Sequence, residues 1–395
     1  MNEPESPHLD DEQVDPDRDP VQFSTASPEN QQSVEEIKQA ESSVPGPGFL
    51  ESIGWTILGM LSQLVGSLIA LIVMLVLYVN SSGLSGEQLQ QKLQEEKFLT
   101  SLMREQTGLH LGITMGFFFL AVSTMVGLRL GSQRRRAIPF HFPSAWHIFL
   151  TVLWVLPLSL ISGQLGLFAG QGWERLTEIY PSLQDLDGLN VMESIGGLIK
   201  DLPHWLVYLL IAVFPAVSEE LLFRVLIGRG LVARYGVVAG IALTTLLFAA
   251  VHMHPVHMFA LIPLSVAIHL SYLASRSIWV PMLAHFLNNA MAASLLLNYD
   301  PEQLPAGAGE EFLPWPVTLA AGVFCVMIGW MYWQTRLLPL NEEFVPESEP
   351  FVSADRPPLS LDACHFRWRF PSQKTVFAFA LSMGFFVASM MSLGQ

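Results

Sequence analysis

The sequence predicts an all-α fold: a polytopic integral membrane bundle of about nine transmembrane helices behind a disordered, acidic N-terminal tail. Three observations predict it. Of the 395 residues, 51% are hydrophobic and only 14% are charged, and the mean hydropathy is +0.41, too apolar and too sparsely charged for a soluble domain of this length. Apolar runs of about 20 residues, the length that crosses a bilayer, recur along the chain. The acidic charge is concentrated at one end: residues 1–48 hold twelve Asp or Glu against Arg18 and Lys38, which supplies −10 of the formal net charge of −15.

Taken in order, residues 1–48 are rich in Asp, Glu, Gln, Ser and Pro and carry too little apolar surface to offset the entropy of ordering, so they are expected to be a disordered tail. No positively charged start with a short apolar core precedes them, so the first span is expected to serve as its own insertion signal. Spanning runs then follow at 55–79, 109–130, 146–168, 205–231, 237–252, 256–274, 278–297, 315–333 and 376–393. Tryptophans at several ends (Trp55, Trp146, Trp205, Trp315, Trp333) fit an interfacial aromatic belt. The runs divide the chain into the tail 1–48, two helices within 49–143, a core at 144–298 and two helices within 299–395, the last two joined by an irregular polar loop at 337–373.

Basic residues in short loops set the orientation, and the clearest marker is Arg129 with Arg134, Arg135 and Arg136. That loop is expected on the cytoplasmic side. Alternation then puts Arg229, Arg234, Arg276 and Arg336 on the same side, the N-terminus in the cytoplasm, and the loops 80–108, 169–204 and 298–314 outside. The expected location is the cell membrane, multi-pass, with the lipid bilayer as surroundings. Neither tail nor membrane body has the basic face of a nucleic-acid binder, so no nucleic-acid partner is expected. Cys325 and Cys364 lack both a disulfide framework and metal-ligand spacing. Without an internal repeat, an inverted-repeat transporter has no support.

Against this apolar background the polar residues inside the spans stand out: Glu219, Glu220, Arg224, His252, His269, His285, Asn288 and Asn289. An ionisable residue at the centre of a spanning helix costs roughly 2.5–3.5 kcal/mol on insertion scales, so three within six residues imply partners or a use. At 1.5 Å per residue from the expected cytoplasmic ends, Glu219 lies ~18 Å deep, His252 ~22 Å, His285 ~10 Å and Asn289 ~16 Å. These groups can meet in one layer. Residues four apart share a helix face, which pairs Glu220 with Arg224, Phe248 with His252 and His285 with Asn289. Glu219, rotated about 100° from Glu220, is left free of the Glu220–Arg224 pair. Pro215 is expected to kink the helix and free a carbonyl just above the site.

Each residue alone has a plainer reading. A single Glu–Arg pair is interhelical glue, and a single His or Asn is a packing or interfacial group. Together, on consecutive helices at matching depth, they read as a site. His269 has no partner at motif spacing and is read as structural, His254 and His257 as a wet external turn beside Pro255, and Asn288 as helix packing.

The three pairs resemble the E-E-x-x-x-R, F-x-x-x-H and H-x-x-x-N motifs of the CPBP intramembrane metalloprotease family. That family includes the type II CAAX prenyl proteases and Abi-like bacterial proteins linked to bacteriocin processing and self-immunity. The resemblance covers about residues 203–297. It implies that Glu219 is the general base, that His252 holds and activates a water, that His285 and Asn289 stabilise the oxyanion, and that Glu220, Arg224 and Phe248 support them. It also implies a peptide or protein substrate at the membrane. The chemistry agrees: amide hydrolysis needs a base poised near neutrality, to which partial burial brings a carboxylate, and donors aimed at the developing oxyanion. No cofactor is expected. The family name admits zinc, for which Glu219, His252 and His285 would be the set, but a glutamate-activated water suits the constellation without it. Two other classes stay open: a non-proteolytic membrane protein that binds a partner or confers immunity, and a proton-coupled transporter using Glu219 or Glu220.

Overall fold

The computed structural model describes residues 46–95, 97–131, 134, 138–189, 198–298, 312–339, 366–367 and 370–394. The expected disordered tail lies outside these residues except for its last three, and so does most of the loop expected at 337–373, with Cys364. What is described is helical, apart from a two-residue antiparallel pairing of β1 (Leu338–Pro339) with β2 (Phe366–Arg367). Among the described residues seven helices are long and apolar enough to cross a membrane, and the chain is a multi-pass membrane protein.

The first span, α1 (Phe49–Ser82), buries Ser52, Thr56, Gly59, Ser62, Gly66, Ala70 and Met74, a stripe of mostly small residues every three to four positions. Small side chains let backbones approach where water supplies no driving force. A Cβ on Gly66 would stand 3.1 Å from the carbonyl oxygen of Thr114 on the second span, Thr107–Leu130. Between them lie the short α2 (Gly86–Leu93), α3 (Phe98–Glu105) and then the second span itself, α4 (Thr107–Leu130).

The third span, α5 (Ala145–Ile179), starts at Ser144, whose hydroxyl accepts from the His147 N–H at 3.1 Å. Its 35 residues run ~52 Å at 1.5 Å per residue, well past the ~30 Å hydrocarbon core and past the end expected at 168. The helix continues through the polar turn Gln171–Arg175 despite Gly172 and ends at Ile179, shortly before Pro181. A 3-10 segment, Pro181–Leu189, follows.

At the centre runs a composite helix. It begins as α6 (His204–Val207), passes through a π-helical stretch (Tyr208–Val213), returns to α-geometry in α7 (Phe214–Glu220), loosens again into a π-helix (Leu221–Gly228) and continues as α8 (Arg229–Ala250). Gly236, at φ 78° and ψ 171°, divides α8, so the long helix is two spans, close to the boundary between the fourth and fifth runs. The two arms meet tightly, because a Cβ on Gly240 would lie 2.5 Å from the Cα of Val232.

The sixth run forms two pieces, α9 (Pro255–Ala260) and α10 (Ile262–Ser275). The remaining spans are α11 (Trp279–Asn298), α12 (Trp315–Gln334) and α13 (Gln373–Met391). With the composite helix divided at Gly236 and α9–α10 taken together, the described residues form the expected nine apolar segments.

Every residue of Leu221–Gly228 is buried, and this stretch anchors the largest apolar cluster, with Phe118, Val122 and Val126 from α4, Phe248 from α8, Tyr272 from α10 and Met282 from α11. A second cluster joins α5, α12 and α13. Polar glue fixes it: the Tyr332 hydroxyl donates to the His147 carbonyl at 2.9 Å and lies 2.6 Å from the Thr151 hydroxyl. At the end of the bundle marked by Arg234, residues Gly46, Pro47 and Gly48 pack closely, with room made by Gly230, whose Cβ would fall 2.4 Å from the Pro47 carbonyl oxygen.

Candidate active site

Glu219 and Glu220 end α7, the seven-residue α-helical stretch between two π-helical ones. Their environments differ sharply. Glu220 is wholly buried, with Oε2 3.1 Å from Nε of Arg224, itself wholly buried one turn on. The guanidinium reaches α10, where its Nη2 lies 3.3 Å from the Ser265 carbonyl oxygen. Its Cζ sits 4.9 Å from the centre of the Phe248 ring, a cation over an aromatic face.

The other oxygen of Glu220 is also engaged. Its Oε1 lies 2.8 Å from Nδ1 of His285 on α11, and because a carboxylate facing an imidazole accepts, Nδ1 carries the hydrogen. That fixes the ring, with Nε2 on the far side, 3.9 Å from Oε2 of Glu219 and beyond direct hydrogen-bond reach. Glu219 keeps 14% of its side chain exposed, and its Oε2 forms no hydrogen bond among the described residues. One carboxylate is tied to two partners while its neighbour stays available.

Phe248 is the hub on α8. Besides Arg224, its ring meets Phe223 at 5.2 Å, His252 at 5.3 Å and His285 at 5.9 Å between centroids. His252, half-buried just past the end of α8, points Nδ1 at the Phe248 carbonyl oxygen at 3.0 Å. Nδ1 therefore carries the hydrogen and Nε2 is left as an acceptor.

Asn289, one turn after His285, donates through Nδ2 to the carbonyl oxygen of Ile211 at 3.2 Å. Ile211 precedes Pro215 by four, so this carbonyl is the one whose α-helical donor proline removes. Asn289 thus holds a carbonyl to which Pro215 offers no i+4 donor. The Asn289 side-chain Oδ1 accepts from Nδ2 of Asn288 at 3.3 Å, and Oδ1 of Asn288 in turn accepts from the Ser159 hydroxyl of α5 at 3.2 Å. Asn288 therefore does more than pack: it links Asn289 to α5.

The structure brings Glu219, Glu220, Arg224, Phe248 and His285 into one contact network, reaches His252 through Phe248, and places Asn289 one turn away on α11. His269 is fully buried, with neither ring nitrogen hydrogen-bonded among the described residues. The reading of His254 as a wet turn residue is corrected: it is 4% exposed and lies 3.5 Å from Asp187. Three contacts went unforeseen. Ser265 has no motif spacing to mark it, the Glu220–His285 bond joins residues 65 apart, and the Ile211 partner of Asn289 is a backbone atom. Only the Ile211 contact had a signal, in Pro215. Among the described residues no group of three or more His, Cys, Asp or Glu is placed to hold a metal ion. The Nδ1 bonds of His252 and His285 leave Nε2 as the outward nitrogen of each ring, and no step is derived through a metal.

Residues 201–291 match the family model described as type II CAAX prenyl endopeptidase Rce1-like. The match falls on the segment that holds the whole network, and it is to the group that the three motifs resemble, a family of membrane proteases. No curated protein and no solved structure matches the chain.

Proposed function

We propose that the chain is an intramembrane endopeptidase that hydrolyses a peptide bond at the membrane with a glutamate-activated water. The observation that carries this reading is the division between the paired carboxylates. Glu220 is locked by Arg224 and His285, whereas Glu219 stands beside Nε2 of His285 with an oxygen free to take a proton.

In this scheme Glu219 accepts one proton of the attacking water and Nε2 of His252 accepts a hydrogen bond from the other. The hydroxide adds to the scissile carbonyl. The resulting oxyanion is met on the α11 side, where Asn289 has a second amide hydrogen beyond the one given to Ile211 and where His285, oriented by Glu220, donates through Nε2 only in its doubly protonated form. Collapse breaks the C–N bond, and the proton held by Glu219 passes to the departing amine. Arg224 offsets the charge of Glu220, so one carboxylate stays buried beside another that faces the substrate. No cofactor enters this scheme. A prenylated C-terminus is a substrate that the family match favours. On this reading the protease core is 144–298 and the N-terminus is cytoplasmic, supported by the basic residues of the short loops.

The test is cleavage by the full chain reconstituted in lipid nanodiscs. Glu219→Gln and His252→Ala are expected to abolish turnover while expression and folding persist; unchanged turnover in either rules the assignment out. Comparing new protein C-termini in membranes with wild-type or Glu219→Gln protein identifies the substrate.

A further inference from the structure

His252 sits at the start of a turn with an unusual backbone. The next residue, Met253, has φ 56°, a left-handed conformation that is uncommon for a side-chain-bearing residue and costs of order 1–3 kcal/mol unless surroundings impose it. Around it the His254 N–H donates to the His252 carbonyl at 2.6 Å, closing a tight three-residue turn of the strained γ type. Whatever fixes His254 therefore fixes the backbone of His252.

What fixes His254 comes from the far end of α5 and the segment after it. Asp187, in Pro181–Leu189, receives the Trp173 indole N–H at 2.7 Å and lies 3.5 Å from Nε2 of His254 through the same oxygen, Oδ1. The Trp173 ring stands edge-on to the His254 ring at 5.7 Å. Just beyond the turn, α9 lies against α5, where a Cβ on Gly166 would sit 3.5 Å from that of Ala260. The extension of α5 past its expected end is what brings Trp173 to this place. None of Trp173, Asp187 or His254 falls in the three motifs, and Trp173 and Asp187 also lie outside residues 201–291.

We propose that Asp187 and Trp173 are positioning residues for His252: they clamp His254, hold the strained turn closed, and so keep the His252 ring on the Phe248 carbonyl. This rests on the reading of His252 as part of the hydrolytic site. The clamp acts through backbone, so it governs the rate of the chemical step more than substrate binding. A displacement of about 1 Å at a reacting group costs on the order of a hundredfold in rate, and a loosened turn that still visits the right geometry costs less, about tenfold.

The experiment compares wild type, Asp187→Ala, Asp187→Asn and Glu219→Gln as full chains in nanodiscs. Hydrogen exchange of the peptide spanning the turn is measured alongside kcat and KM on a peptide whose cleavage depends on Glu219. Asp187→Ala is expected to raise exchange in the turn, with the other spans unchanged, and to lower kcat about tenfold with KM within about twofold. Asp187→Asn keeps the accepting oxygen and is expected to restore both. Glu219→Gln is expected to leave the exchange as in wild type. Unchanged exchange in Asp187→Ala, exchange raised throughout the chain, or an Asn variant as impaired as the Ala one overturns the proposal. If wild type cleaves nothing, the peptidase reading fails, and the exchange measurements still decide whether the clamp holds the turn.

Discussion

Replacing Arg224 by Met tests the claim that Glu220 is an internal counter-ion and not a second base. The substitution keeps most of the stem volume and removes the charge. In the wild type both side chains of the pair are inaccessible, with Nε 3.1 Å from Oε2, so the variant strands a carboxylate whose remaining partner is Nδ1 of His285. Breaking a buried pair from one side costs about 3–5 kcal/mol. The lost contact with the Phe248 ring, 4.9 Å away, adds up to about 2 kcal/mol where desolvated. Against a typical stability of about 5–15 kcal/mol, Arg224→Met is expected to be folded only marginally.

The double variant Glu220→Gln/Arg224→Met removes both charges, and uncharged replacement of a buried pair is often close to neutral. The double variant is therefore expected to be more stable than Arg224→Met alone, with a coupling of about 3 kcal/mol in the double-mutant cycle. Unfolding titrated with denaturing detergent in mixed micelles, followed by far-UV circular dichroism, measures it. Peptidase activity should not return in the double variant, since a Gln in place of Glu220 no longer charges the hydrogen bond that orients His285. A coupling under about 0.5 kcal/mol, typical of exposed pairs, or an Arg224→Met protein as stable as wild type, refutes the reasoning.

Two further outcomes follow from single contacts, and a third concerns metal removal. Asn289→Ala leaves the Ile211 carbonyl without its side-chain partner, so a loss of about 1–3 kcal/mol in the same unfolding titration is expected together with loss of cleavage. Gly240→Ala drives a Cβ to 2.5 Å from the Val232 Cα and 2.6 Å from its nitrogen. Both are backbone atoms that cannot swing aside, so about 1–3 kcal/mol of destabilisation is expected, with activity per folded molecule preserved. Prolonged treatment of the purified protein with a zinc chelator is expected to leave turnover intact; loss that zinc alone restores would replace the metal-free scheme.

Much of this arrangement is written in local sequence. The nine apolar runs, the Glu220–Arg224 pairing and the liberation of Glu219 follow from spacing alone, because hydrophobic length and a four-residue period are properties of neighbouring residues. The bond from Glu220 to His285 was not legible. It depends on how α11 packs on the composite helix, and nothing within either segment states that register. The overrun of α5 beyond 168 is not legible because span length is set by the bilayer, whereas the helix continues past it, through Gly170 and Gly172, to Ile179. His254 was misjudged for a related reason. A polar residue next to a proline reads as a solvated turn, and the carboxylate it contacts lies 67 positions away.

The two π-helical stretches bear on why adjacent glutamates can differ so much. In an uninterrupted α-helix the phase of residue 219 is dictated by every turn on either side, including the turns that must pack α4, α8 and α10. A π-turn, bonded i to i+5, shifts that phase by an extra residue, and such turns occur often at functional sites. Placed at Tyr208–Val213 and again at Leu221–Gly228, they release the seven residues of α7 from the registry of both flanks. The second stretch can then be buried on every side while Glu219, one residue before its N-cap, keeps its partial exposure. Gly228 shows how tight that burial is: a Cβ there would meet the Phe223 carbonyl oxygen and His269 at 2.6 Å. The site thus depends on backbone geometry as well as residue type, and a change that straightens either π-stretch should rotate Glu219 away from Nε2 of His285 without altering any motif residue.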